Sequence, residues 1–185
     1  MPPDMQEVHY SVDIQDRIAS VCDEWLEFAR ENDWVGLDES DLIGRPIFEF
    51  IEGEETQRIY RTIFQRVRHH QRSVTLPLRC DGPDVRRFIE LEIRPAEQGR
   101  IEMSGRLVRQ ETRKPVRFFD RKASRSQQAI AMCAWCKKIP VEGEWQEVEE
   151  AVARLDLFQA PELPAIRYDV CDVCRNRIKN ESEGG

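Results

Sequence analysis

The residues best placed to do chemistry are two cysteine pairs, Cys133 and Cys136 in "MCAWCKKIP" and Cys171 and Cys174 in "CDVC". A C-x2-C turn brings two sulfurs to one side, at a spacing suited to a tetrahedral ion, and two such turns complete a four-thiolate site. Soft thiolates select zinc or iron over magnesium or calcium. The 34 residues between the pairs exceed a minimal finger. They hold "EWQEVEEAVARLDLF", which reads as a helix with Trp145, Val148, Val152 and Leu155 on one face, able to lie over both turns. About 50 residues bury little core alone, which gives a metal staple a physical role. A structural zinc on Cys133, Cys136, Cys171 and Cys174 is therefore expected. Two alternatives stay open: a thiol redox pair, which calls for a thioredoxin-like βαβ setting absent here, and four unliganded core cysteines.

Other candidates are weaker. Cys22 and Cys80 stand alone beside apolar residues and read as small core residues. His69 and His70 close a long helical stretch, where they favour its dipole. Trp25, Phe28, Phe48, Tyr60 and Phe64 are expected in the interior and line a ligand pocket if one exists; core packing accounts for them equally well. A basic run carries Arg113, Lys114, Arg117, Arg121, Lys122 and Arg125 against Asp120. It allows nucleic-acid contact, but no helix-turn-helix is visible, and a solvated signalling helix is the favoured reading. No kinase signature, phosphate-binding glycine loop or nucleophile elbow occurs, so no enzyme is expected.

The 185 residues carry a net charge of −7, unevenly spread. Residues 1–60 hold 4 Lys/Arg against 16 Asp/Glu, and residues 61–128 hold 17 against 8. Such thirds attract internally or across a dimer, or are ordinary solvated surface. The N-terminus lacks a secretory pattern and no apolar run reaches membrane length, so a cytoplasmic protein with reduced thiols and no membrane contact is expected.

The elements that must position the cysteines follow from periodicity. "HYSVDIQDRIASV" reads as two strands about a turn at Gln15–Asp16, and "DEWLEFAREN" as a helix with Asp23 placed to cap it. "DLIGRPIFEFI" is a short helical segment broken by Gly44 and Pro46. "EETQRIYRTIFQRVRHHQR" is a long helix with Ile59, Tyr60, Ile63, Phe64 and Val67 as its stripe. Three alternating runs follow. Val74, Leu76, Leu78 and Cys80 share one face, as do Ile89, Leu91 and Ile93, and Ile101, Met103 and Leu107, with turns at 81–84 and 97–100. Pro77 places its strand at an edge or bulge. The result is an α+β domain with helices on one face of an antiparallel sheet. Residues 117–131 read as helical, and "ESEGG" as a frayed tail.

In this order, residues 8–110 resemble a PAS sensory domain. "LPLRCDGPDVRRFIELEI", a basic linker and a tail of the form "MC-x-WCK…W-x-x-V-E…C-x-x-C" resemble a group of small bacterial PAS proteins. The resemblance implies a five-stranded sensory domain over 1–110, a basic linker helix over 111–131, a four-cysteine zinc subdomain over 132–180 and a disordered 181–185. It further implies a signalling role, a partner of unknown identity and a homodimer; the competing readings are a thiol-based redox sensor whose metal site ejects zinc on oxidation, and a DNA-binding regulator using the basic run and the zinc tail. Some PAS domains ligate haem through a histidine; the polar "RVRHHQR" around His69 and His70 argues against haem here, and no flavin is expected. The group often has a histidine three residues before the last pair. Tyr168 stands there in this chain, so four cysteines are the natural ligand set.

Overall fold

The computed structural model describes residues 7–31, 38–120 and 122–183. Its first half is a five-stranded antiparallel sheet in the order β2-β1-β5-β4-β3, formed by β1 (Glu7–Val12), β2 (Ile18–Val21), β3 (Val74–Asp81), β4 (Val85–Pro95) and β5 (Ile101–Thr112). The first turn forms because Asp13 Oδ1 accepts the Gln15 and Arg17 N–H groups at 2.8 and 2.9 Å. Three helices intervene between β2 and β3: α1 (Asp23–Glu31), α2 (Glu39–Leu42) and α3 (Glu54–His70). Asp23 is the first residue of α1 rather than its cap. Cys22 holds the cap position, accepting from the Trp25 N–H through its carbonyl at 3.1 Å and its sulfur at 3.4 Å.

The stripe of α3 lands as its spacing requires. Ile63, Phe64 and Val67 are buried, and Ile59 and Tyr60 pack at the core's margin. Gln57 Nε2 donates to the Phe48 and Ile51 carbonyls at 2.9 and 2.8 Å, fixing the preceding turn to the helix. Facing this stripe are Val74 and Leu76 of β3, Leu91 and Ile93 of β4, and Ile101 and Met103 of β5. β3 is an edge strand, which accommodates Pro77.

The second half departs from expectation. The described residues of 117–131 do not form a helix. Arg117–Phe119 form one 3-10 turn, and β6 (Arg125–Cys133) is a strand paired in parallel with β9 (Leu163–Asp169). That pairing gives each segment backbone partners along one edge, which a helix over 117–131 would deny to β9. The segment read as one helix from Glu144 is divided. Glu142 and Gly143, at φ 52° and 89°, turn β7 (Ile139–Val141) into β8 (Glu144–Gln146), so Trp145 lies on a strand and α4 spans only Val148–Arg154. Val148 and Val152 are buried as expected, and Leu155 is exposed. α5 (Asp172–Glu183) continues through the stretch expected to be disordered, held by Arg66, which reaches Ser182 Oγ at 2.8 Å and Glu183 at 2.9 Å. Residues 184–185 lie outside the described residues.

The two halves are not closed separately. Cys133, Trp135, Val170, Cys171 and Ile178 belong to the same buried cluster as Leu76, Leu91 and Phe64. A second cluster, with Val116, Phe118, Met132, Ile139, Val148 and Leu163, fills the far side of β6 and β9. Val116, Phe118, Ile130 and Met132 thus pack in this second cluster. Among the described residues, no helix is long and apolar enough to cross a membrane.

Candidate metal centre

Cys133 ends β6, and the chain turns back immediately. The Cys133 N–H donates to the Lys138 carbonyl at 2.8 Å, and the Lys137 N–H to the Cys133 carbonyl at 2.9 Å. Lys137 takes the left-handed conformation, φ 60°, that closes the turn. Its ammonium donates to the Ala134 carbonyl at 2.7 Å and lies over the Tyr168 ring at 5.3 Å. Burial pushes that ammonium below the ordinary lysine range. Cys171 stands just before α5, its carbonyl accepting the Arg175 N–H at 2.9 Å, and Cys174 sits in the first turn.

These two turns bring all four sulfurs within 4.8 Å of one another. Cys136 Sγ and Cys171 Sγ are 3.7 Å apart. Four thiolates about 2.3 Å from a tetrahedral zinc are separated by about 3.8 Å, so the donor set and its spacing fit such an ion. The sulfurs are unbridged. Backbone amides already point at the cluster, Cys171 N–H to Cys133 Sγ at 3.5 Å and Cys174 N–H to Cys171 Sγ at 3.4 Å.

The thiols cannot ionise independently. Hydrogen bonds from Cys136, Cys174 and backbone amides pull the Cys133 thiol far below its ordinary range. The Cys133 thiolate in turn raises Cys136 to about 12 and holds Cys174 far above its ordinary value. One charge suppresses the next. A divalent cation removes that penalty, and its binding releases the remaining protons.

The cluster is anchored to the sheet. The Arg79 N–H of edge strand β3 donates to the Trp135 carbonyl at 2.7 Å. Tyr60 of α3 stacks on the Trp135 ring. A buried ion network extends the join: Asp81, fully enclosed, accepts from Arg79 and from Arg113, while Glu147 takes Arg79 at 2.7 Å and Glu149 takes Arg86 at 2.7 Å. Sequence reading missed this network; Arg79 and Asp81, both within one strand, gave no sign of partners 30 to 70 positions away.

The remaining candidates fall elsewhere. Phe48 and Phe64 are buried with centroids 6.1 Å apart, Tyr60 meets Phe64 at 6.0 Å, and Trp25 meets Tyr10 at 6.4 Å, so these rings pack on one another. The Phe28 side chain lies outside the described residues, as does Arg121. His69 and His70 are exposed. Of the basic run, Arg113 is in the ion network, Arg117 binds the Ala160 and Pro161 carbonyls, and Arg125 binds those of Phe118 and Pro164. No model of a known protein family matches the chain, and no curated protein matches its sequence.

Proposed function

We propose that the chain is a non-enzymatic PAS-like sensory or docking module whose C-terminal unit is stapled by one structural zinc ion. The observation that carries the metal reading is the set of four thiols within 4.8 Å, two of them buried. Four protein thiolates fill a tetrahedron and leave no position for a water to be activated, so the ion's part is structural. The PAS reading is supported by the strand order β2-β1-β5-β4-β3 with α1 to α3 inserted between β2 and β3. Because the knuckle, the turn that carries Cys133 and Cys136, shares its core with the sheet, a change felt by α3 is carried to the C-terminal unit through Tyr60 and Trp135. The chain works as a cytoplasmic homodimer that presents the stapled unit to a signalling partner. The nucleic-acid reading loses support, since Arg113, Arg117 and Arg125 are bound internally.

Elemental analysis and an absorption spectrum of protein purified without chelators test this reading. One zinc per chain and no visible band are expected. Iron with visible thiolate absorption keeps the ligand set but replaces a structural role by a redox one. A haem or flavin band contradicts the cofactor assignment.

A further inference from the structure

The four sulfurs are unequally sheltered. Cys133 and Cys171 are buried, whereas Cys136 and Cys174 are partly exposed. Those two line one open groove of about 390 Å³. Apolar side chains make up much of the wall, among them Leu78 of β3, Ile89 of β4, Val108 of β5 and Trp135. Val108 is there because of a bulge. The β4–β5 pairing passes from Phe88↔Arg109 to Ile89↔Leu107, which leaves Val108 without a partner strand residue and 52% exposed.

A groove of this kind brings an apolar reactant to two thiolates. Thiolates are the nucleophilic form of cysteine, and they react with peroxides. The geometry points to a site for organic hydroperoxides, ROOH with an apolar R group, at Cys136 and Cys174. This rests on the metal-loaded four-thiolate centre proposed above. One thiolate attacks the terminal peroxide oxygen and the O–O bond breaks. The alkoxide leaves and takes a proton from water, giving the alcohol ROH, and the cysteine becomes a sulfenic acid. The second thiolate attacks that sulfur, forms the disulfide and expels hydroxide, which is protonated to water. The two sulfurs give up two electrons and the hydroperoxide accepts them. The sulfurs begin within 4.8 Å of each other and close to about 2.05 Å. Two of the four ligands are thereby withdrawn and the metal is released. The apolar wall distinguishes ROOH from hydrogen peroxide, which has no apolar group to bury.

The zinc-loaded protein is treated with cumene hydroperoxide or hydrogen peroxide at equal concentration. Metal release is followed with a chromogenic chelator, and the disulfide is located by peptide mass mapping. Cumene hydroperoxide should release the metal at least about tenfold faster, the lower end of what one well-packed apolar contact gives. The product should be a Cys136–Cys174 disulfide. Val108→Ser, or the more severe Val108→Glu, should bring the ratio of the cumene hydroperoxide rate to the hydrogen peroxide rate down towards one, with the zinc content unchanged. Equal rates in the wild type, selectivity that survives both variants, or a disulfide at another pair overturns the assignment. A chain that holds no zinc overturns the metal reading as well; a chain that holds zinc and treats both oxidants alike overturns this one alone.

Discussion

Tyr60 of α3 stacks on Trp135 of the first cysteine turn, with ring centroids 5.4 Å apart and planes inclined by 25°. One residue belongs to the helix that covers the sheet, the other to the turn that carries Cys133 and Cys136. Trp135 is 3% exposed and sits in the cluster that holds Phe64 and Leu91. Truncating it removes packing from both halves together. Trp135→Ala should cost about 3–5 kcal/mol, the usual range for a buried tryptophan. Urea unfolding followed by circular dichroism should remain a single transition, shifted as a whole. A variant whose C-terminal unit melts first, with the sheet's midpoint unmoved, contradicts the shared core.

The sheet register is tested at Leu91, which is 3% exposed and pairs with Leu76 and Gly105. Leu91→Ala should cost about 2–5 kcal/mol in chemical denaturation. A change within about 0.5 kcal/mol, typical of surface positions, places that face in solvent.

Leu91 also shows what the sequence makes legible. Strands β3 to β5 alternate apolar and polar residues because one face is buried, and α3 carries its stripe for the same reason. β6 has no such sign. Its run "RSQQAIAMC" is exposed or half-buried until Met132, and its partner β9 lies more than 30 residues on, so parallel pairing leaves no local pattern. The core shared by the sheet and the cysteine turns leaves no local pattern either. Leu78 declares itself apolar, but alternation does not say what packs beside it, and Trp135 of the cysteine turn belongs to the same cluster. The cysteine pairs were legible because ligand spacing is local even when the site is not.

Gly53 measures the close approach of the halves. It has φ 91°, and a Cβ there would lie 2.8 Å from the Tyr168 carbonyl oxygen. Gly143 has a similar φ, 89°, with nothing within 4 Å of its Cβ position. Backbone strain alone costs about 1–3 kcal/mol at either site. Gly53→Ala should therefore destabilise more than Gly143→Ala in matched thermal melts. Equal losses remove the contact between α3's start and β9.

The ion network makes stability depend on charge. Asp81 is enclosed between Arg79 and Arg113, so Asp81→Ala leaves two nearly buried cations without it and should cost about 3–5 kcal/mol. Glu149 adds a pH dependence. Burial raises its pKa, but its own backbone N–H, Arg86 and Arg113 outweigh that and hold it below the ordinary carboxylate value. A depressed carboxylate contributes stability above the unfolded-state pKa, about 4.3 for Glu, and loses it as pH falls through the lower folded value. Urea midpoints from neutral to acid pH should fall less steeply for Glu149→Gln than for the wild type. Parallel curves mean that Glu149 gains nothing from its arginines.

The most direct test of the four-thiolate centre is a zinc titration of the metal-stripped, reduced chain, with hydrogen exchange read at each step. One equivalent should saturate the wild type, with protons released, and protection should rise in 132–180 and in β3, which the Arg79–Trp135 hydrogen bond joins to the knuckle. Cys171→Ser should bind zinc far more weakly and stay unprotected in both regions. A wild-type chain that takes up no zinc, or whose protection is the same with and without it, contradicts a metal staple at Cys133, Cys136, Cys171 and Cys174.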